Sequence, residues 1–348
     1  MNYKINNLVF QGGGVLGIAY LGVLNYLYNN GILQRMKRVG GTSAGAITAC
    51  LASFSLPFDE MKKIADTLDY KKITQRGESS DFEKIPAVVR KEIARIFGDI
   101  NCIYRLITNY GWYSSEYFYE WIKEQIASQF NSSKKLPPYT FKDFKNSYIH
   151  KKQRPFLDLY VMGTDISTNS SKVFCFETTP DMEVATAIRI SMSIPLFFES
   201  IKFDKNITPK KSVPYVFSDG GIMRNYPINL FDSHYFMDKI VNGVNIQTLG
   251  VRFKSKTKYT EINSFIDYIE NLIKSFMKIQ QDMYNNNPED KLRSIEIDTK
   301  DISFIDFNIS PNDEKYNFLY QQGYRATKDY FENMYPESLY RYDLYNGA

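Results

Sequence analysis

A short apolar strand, a glycine turn and an apolar helix follow one another twice within the first 54 residues. The first unit runs through Leu8-Val9-Phe10, the loop Gly12-Gly13-Gly14-Val15-Leu16-Gly17 and a helix predicted over 15–28. The second runs through a strand predicted over 37–40, the turn Gly41-Thr42-Ser43-Ala44-Gly45 and a helix over 44–54. A strand that feeds a helix through a tight turn, repeated, lays down parallel strands with crossover helices. The chain is thereby held to the α/β class. The first helix is apolar on nearly every face (Leu16, Ile18, Ala19, Leu21, Val23, Leu24 and Leu27), which is the pattern of a buried helix. Asn30-Gly31 closes it.

The rest of the chain extends the same plan. Residues 59–130 alternate charged and apolar residues at helical spacing. A loop over 132–138 ends in Pro137-Pro138. Strands are predicted over 157–164 and 172–177, a helix over 183–192 stopped before Pro195, and a strand over 215–218 that delivers Asp219. A strand over 244–253, an amphipathic helix near 262–284, strands near 294–298 and 302–308 and a helix near 313–334 complete the prediction. No internal repeat or interdomain linker is visible. We therefore expect a main unit over 7–232, with 59–130 as a helical insertion and candidate lid. Residues 233–348 form an α+β extension that completes or packs on the same fold.

Bulk properties exclude several function classes. The net charge of +4 over 348 residues is too small for a nucleic-acid binder. Charge is unevenly spread: no Asp or Glu precedes Asp59, whereas Lys4, Arg35, Lys37 and Arg38 do. Cys50, Cys102 and Cys175 are odd in number and widely spaced, which argues for a reducing compartment without a disulfide framework. Residues 1–10 lack the apolar stretch of a secretory signal, and no apolar run is long enough to span a bilayer. The expectation is a cytoplasmic protein that meets membranes transiently, with delivery outside the cell by a signal-peptide-independent route left open.

Three glycine-bearing motifs carry chemistry. Gly12 to Gly17 fits G-x-G-x-x-G, a pattern shared with dinucleotide and phosphate loops. A dinucleotide site wants an acidic residue about 20 positions on, and none occurs before Asp59. A P-loop wants Lys-Ser/Thr after its last glycine, but Ile18-Ala19 follow here. What remains is a set of backbone N–H groups at a helix start, suited to an anion, or a tight turn with no ligand. Gly41-Thr42-Ser43-Ala44-Gly45 matches G-x-S-x-G between a strand and a helix, the arrangement that exposes a nucleophilic serine. Ser43 as a simple helix cap is the plainer alternative. A serine nucleophile needs a base. His150 lies in the basic run His150-Lys151-Lys152-Gln153-Arg154 and reads as solvated, while His234 follows Asp232 and would complete a Ser–Asp–His order. Asp219 is the better candidate, because it ends an apolar strand and Gly220-Gly221 let the chain turn beside it.

The ordered set Gly-Gly-Gly-x-x-Gly, Gly-Thr-Ser-Ala-Gly and Asp-Gly-Gly resembles the patatin-like phospholipase family. Weaker matches lie at Gly111-Trp112-Tyr113, Gly163-Thr164-Asp165, the stretch from Ala187 to Pro195 with Phe197-Phe198, Asn225-Tyr226-Pro227 and Gly323-Tyr324-Arg325-Ala326-Thr327. The resemblance implies a three-layer α/β/α fold around a mostly parallel sheet. It implies a dyad of Ser43 as nucleophile and Asp219 as base, with Gly12, Gly13, Gly14 and Val15 in the oxyanion loop. Gly17, Gly41, Gly45, Gly220 and Gly221 would be the motif glycines. Leu16 departs from the family, which often places Arg or Lys there. The implied activity is that of a lipid acyl hydrolase, a phospholipase A, acting on phospholipid or another lipid ester at a membrane surface, with no metal or other cofactor. A protein activator is a further expectation. A Ser–His–Asp esterase or thioesterase using His234, and a catalytically silent lipid-binding module, are the alternatives. Ile85 to Val89 and Ile103-Tyr104 are apolar pieces of the candidate lid, and Lys134-Lys135, Lys151-Lys152 and Lys210-Lys211 are candidate contacts with anionic lipid.

Overall fold

Alternation within the first strand decides how the layers stack. Leu8 and Phe10 point into one large apolar cluster, while Val9 points the other way, into a small one with Tyr160, Cys175 and Phe231. The computed structural model describes residues 4–74, 100–203, 214–236, 238–254 and 259–335. In chain order its strands are β1 (Asn7–Phe10), β2 (Arg38–Gly41), β3 (Gly111–Tyr113), β4 (Asp158–Asp165), β5 (Ser170–Phe174) and β6 (Leu196–Phe198). They continue with β7 (Ile201–Phe203), β8 (Tyr215–Asp219), β9 (Ile240–Val241), β10 (Val244–Asn245), β11 (Thr248–Phe253) and β12 (Ser294–Ile297). The main sheet follows the path β12-β11-β1-β2-β4-β8-β7, with β5 also paired to β4. β12, β11, β1, β2 and β4 are parallel neighbours, and β8 runs against β4. The class is the expected one, α/β with a mostly parallel sheet.

The longer helices are α1 (Ile18–Asn29), α2 (Ala44–Ser53), α3 (Phe58–Ala65), α4 (Ile100–Asn109), α5 (Glu116–Ala127), α6 (Val184–Ser191), α7 (Phe265–Asn285) and α8 (Glu314–Asp329). Residues of α1, α2, α6 and α8 fill the large cluster. Among the described residues, the opposite face is covered by the 3₁₀ turns Ile228–Phe231 and His234–Phe236. Nine of the twelve residues of α1 are buried, and α8 lies across it at backbone contact. A Cβ at Gly22 would sit 2.0 Å from the Tyr320 carbonyl oxygen, and one at Gly323 would sit 1.8 Å from that of Ala19. Only glycine at both positions permits this crossing. The described residues beyond 232 add β11 and β12 to the main sheet and α8 to the large cluster.

Two of the weaker motifs turn out to be partners. Gly111 pairs with Leu196 and Tyr113 with Phe198, which ties the insertion to the segment after α6. Within the insertion α3, α4 and α5 are helical as expected; Ile85 to Val89 lies outside the described residues, as does Lys210-Lys211.

Three expectations need correction. Residues 244–253 are not one strand: the Asn245 side chain accepts the Gln247 N–H at 2.9 Å and donates to the Phe231 carbonyl, and this local turn separates β10 from β11. Residues 302–308 form turns instead of a strand. Ser303 and Asp306 bond to backbone N–H groups two residues on, at Ile305 and Asn308, while Phe304 and Phe307 are buried. His150 is buried, not solvated: its ring stacks on Phe156 at 3.6 Å, and its two nitrogens meet the carbonyls of Arg154 and Asp143. The three cysteines are buried free thiols.

Candidate active site

Sheet register brings Ser43 and Asp219 together. β2 runs up one side of β4 and ends with Gly41 opposite Val161. β8 runs down and ends with Asp219 opposite Gly163. Asp158 N–H donates to Lys37 and Ile166 N–H donates to Val216. Even-numbered residues of a regular strand direct their backbone groups to the same side, so β2 and β8 lie on one side of β4 and meet end to end. Val161 and Gly163 are two residues apart, about 7 Å along the strand. The chain leaving Gly41 and the chain arriving at Asp219 therefore converge in one gap.

Ser43 sits in this gap with φ 53° and ψ −123°, a left-handed conformation that costs a side-chain-bearing residue roughly 1–3 kcal/mol. The sharp turn starts α2 immediately, at Ala44. The surrounding contacts hold it there. The Ser43 N–H donates to Ser191 Oγ at 2.9 Å, and Thr42 Oγ1 donates to the Arg224 carbonyl at 2.8 Å. Gly17, Gly41, Gly45 and Gly220 are close-packing positions around the elbow; a Cβ at Gly45, for example, would lie 2.4 Å from the Phe10 carbonyl oxygen.

Asp219 is buried. Burial pushes its carboxyl up to about 7, even though the Gly221 N–H and the Ser43 hydroxyl both interact with it in the opposite sense. The Gly221 N–H reaches Oδ1 at 2.6 Å. The Asp219 backbone is fixed at both ends: its N–H donates to the Ser193 carbonyl at 2.9 Å, and its carbonyl accepts from Thr164 Oγ1 at 2.9 Å. The motifs at 163–165 and 187–195 thus serve as supports for the Asp219 strand.

The glycine loop lies against the same gap. A Cβ at Gly12 would stand 3.2 Å from the Ser43 Cβ and 2.3 Å from Asn225 Oδ1. Gly14 has φ +52°, and a Cβ there would strike the Phe304 carbonyl oxygen at 2.0 Å. The four N–H groups of the expected oxyanion loop are not equivalent. Gly12 N–H donates to the Asn225 carbonyl at 2.9 Å and Val15 N–H to the Phe304 carbonyl at 3.0 Å. Those two are consumed by folding. The N–H groups of Gly13 and Gly14 bond to no described residue.

Ser43, Asp219, Gly12, Gly13 and Gly14 line one narrow cavity of about 30 Å³ with Ile194, Ile222, Phe276 and Phe304. That is room for about two waters. No described residue of 59–130 lines it. Among the described residues, α7 adds Ile273, Phe276 and Met277 to its wall. α7 also secures the base turn: Gln280 Oε1 accepts the Asn225 N–H at 2.6 Å, and its Nε2 donates to the carbonyls of Gly221 and Ile222. Sequence reasoning missed Ser191 and Gln280. Ser191 sat inside a noted motif with no chemical reason to be singled out, and Gln280 is one polar residue on an amphipathic helix.

Neither histidine belongs to the site. His234 is exposed and absent from the cavity wall. Its supposed carboxylate partner, Asp232, is engaged by Arg293 through two contacts of 2.6 Å.

The sequence model of the patatin-like phospholipase family matches residues 8–232. The chain is 25% identical over 337 residues to the uncharacterised protein R571 of Acanthamoeba polyphaga mimivirus, covering 93% of each chain. It is 29% identical over 263 residues to the uncharacterised protein YqhO of Bacillus subtilis, covering 74% of this chain and 75% of the other. It is 25% identical over 225 residues to probable lipid hydrolase 463L of Invertebrate iridescent virus 6, covering 64% and 62%. Among solved structures, VipD from Legionella pneumophila is similar in fold, with a TM-score of 0.56 and 18% identity, covering 95% of this chain and 67% of that one.

Proposed function

Because the chain belongs to the patatin-like phospholipase family, we propose that it hydrolyses carboxylic esters of lipids as a phospholipase A, through a Ser43–Asp219 dyad. The carrying observation is the pairing of a left-handed serine elbow with a buried carboxyl raised to about 7. A carboxylate of ordinary acidity is a poor base toward a hydroxyl; one titrating near neutrality is matched to the task.

In this reading Ser43 Oγ attacks the ester carbonyl while Asp219 takes its proton. The N–H groups of Gly13 and Gly14, left unspent by the fold, receive the oxyanion. Each such donor is worth ~3 kcal/mol of transition-state stabilisation. Protonated Asp219 returns its proton to the departing alcohol, leaving an acyl group on Ser43. Water, deprotonated by Asp219, attacks the acyl carbon, and Asp219 gives that proton to Ser43 Oγ as its ester bond breaks and the fatty acid leaves. The apolar walls at Ile194, Ile222, Phe276 and Phe304 favour a hydrocarbon acyl group.

The test is fatty-acid release from mixed phospholipid vesicles by the wild type, Ser43→Ala and Asp219→Ala. The reading expects release by the wild type and a fall of on the order of a thousandfold or more in both variants. Equal release by all three would sink the dyad.

A further inference from the structure

Resting on this lipid-hydrolase reading, we propose that the outer apolar stripe of α7 is the face by which the protein docks on a lipid bilayer, setting the mouth of the Ser43 cavity against the membrane.

The argument starts from the angular positions of the side chains on α7. At 3.6 residues per turn, Tyr268, Leu272, Phe276, Ile279 and Met283 fall within an arc of about 80°. Ile269, Ile273, Met277, Gln280 and Tyr284 occupy the adjoining inward sector, where they meet the protein. Glu270, Lys274, Lys278 and Asp282 lie beyond that. A helix that only caps a globular body needs one apolar face. α7 carries a second, and it is open: Tyr268 is 53% exposed, Phe276 40%, Ile279 64% and Met283 71%. A contiguous apolar row of this kind on a protein surface marks an interaction face.

Two observations identify the partner as lipid. First, the stripe is continuous with the reaction cavity. Phe276 belongs to both, since it lines the cavity beside Ser43 and stands partly exposed on the stripe. An acyl chain entering the cavity therefore passes over this row. Second, Ile273 and Met277 of the same helix line the cavity beside Phe276, so a bilayer resting on the stripe brings hydrocarbon to an apolar wall of the cavity. Both lysines of the helix are already paired, Lys274 with Glu270 and Lys278 with Asp282, each at 2.7 Å. Docking is thus driven by apolar burial and does not depend on anionic lipid.

The experiment uses the full chain. Ile279→Cys, labelled with an environment-sensitive fluorophore in the Ser43→Ala background, is mixed with phosphatidylcholine vesicles at low and high salt. The native cysteines are buried and stay unlabelled. A blue shift that survives high salt is expected; an unshifted spectrum overturns the proposal. In parallel, Ile279→Asp combined with Met283→Asp is expected to weaken vesicle binding by on the order of a hundredfold, about tenfold for each apolar side chain withdrawn from hydrocarbon. The same variant should hydrolyse a soluble short-chain ester as the wild type does, because neither residue lines the cavity. Wild-type rates on vesicles with this variant overturn docking while leaving the hydrolase reading intact. Vesicle insertion by a wild type inert on every ester sinks that reading but not docking. Burial of the stripe in a dimer, detected by sedimentation of wild type but not of the double variant, also overturns the proposal.

Discussion

The hydroxyl of Ser191 accepts the backbone N–H of Ser43 at 2.9 Å, inside the protein and away from water. This bond occupies the Ser43 amide and fixes the turn from behind. Replacing Ser191 with Ala leaves that N–H buried without a partner, a cost of about 1–3 kcal/mol. We expect Tm to fall and kcat to fall roughly tenfold or more as the hydroxyl loses alignment, with KM little changed. Steady-state kinetics on a soluble ester, beside thermal melts, measures both. A loss confined to KM would contradict this role.

On the proposed dyad, Asp219 gives the protein a pH signature. Its folded pKa, about 7, stands above its ordinary value of 3.8 because burial disfavours the charge. The folded state therefore holds the proton more tightly than the unfolded chain does. Stability contributed by this group is full below pH 3.8 and declines as pH rises toward 7, by on the order of a few kcal/mol. On the proposed dyad, activity moves the other way, since only the carboxylate could accept the Ser43 proton. The kcat/KM profile should rise through pH 7 and then level. Asp219→Asn should be inactive yet melt higher than the wild type above pH 7. A pH-independent difference between the two melts would refute the assignment.

Gln280 holds the base turn through three hydrogen bonds, one accepted and two donated. Gln280→Glu keeps the acceptor for Asn225 but sets a carboxylate against the carbonyls of Gly221 and Ile222. It should lower both stability and kcat, with Gln280→Ala intermediate in stability. Chemical denaturation and single-turnover acylation by a chromogenic ester would separate the two effects.

His234→Ala should leave kcat/KM within about twofold of wild type, since an exposed residue outside the cavity is energetically nearly neutral. Arg293→Ala should instead destabilise by about 3–5 kcal/mol, because it strands the carboxylates of Asp232 and Asp290 in a buried site. Together the two variants separate a triad from a structural ion cluster.

Much of this arrangement was legible in the sequence, for a physical reason. Strand, glycine turn and helix are local features, so β1, β2, α1 and α2 appear where periodicity puts them. The Asp-Gly-Gly turn is equally local. What the sequence concealed is set by distant contacts. Phe304 could not be read as a plug on Gly14, because Ser303 and Asp306 turn 302–308 away from a strand only through side-chain bonds. Val15 and Gly12 looked like oxyanion donors until the fold supplied carbonyls to occupy them. The contribution of α7 to the cavity wall was also hidden, because it is decided by tertiary packing against the turn after Asp219.

The end-to-end meeting of β2 and β8 has a consequence for how the protein is made. Ser43 emerges from the ribosome well before Asp219 and Gln280. A ribosome-bound or prematurely released chain carries a serine with no base and no fixed turn. On the proposed dyad, hydrolysis requires β8 and α7 to have been made as well as the serine turn. Chains ended before residue 219 should leave a serine-directed phosphonate untouched, whereas the 348-residue chain should be labelled at Ser43.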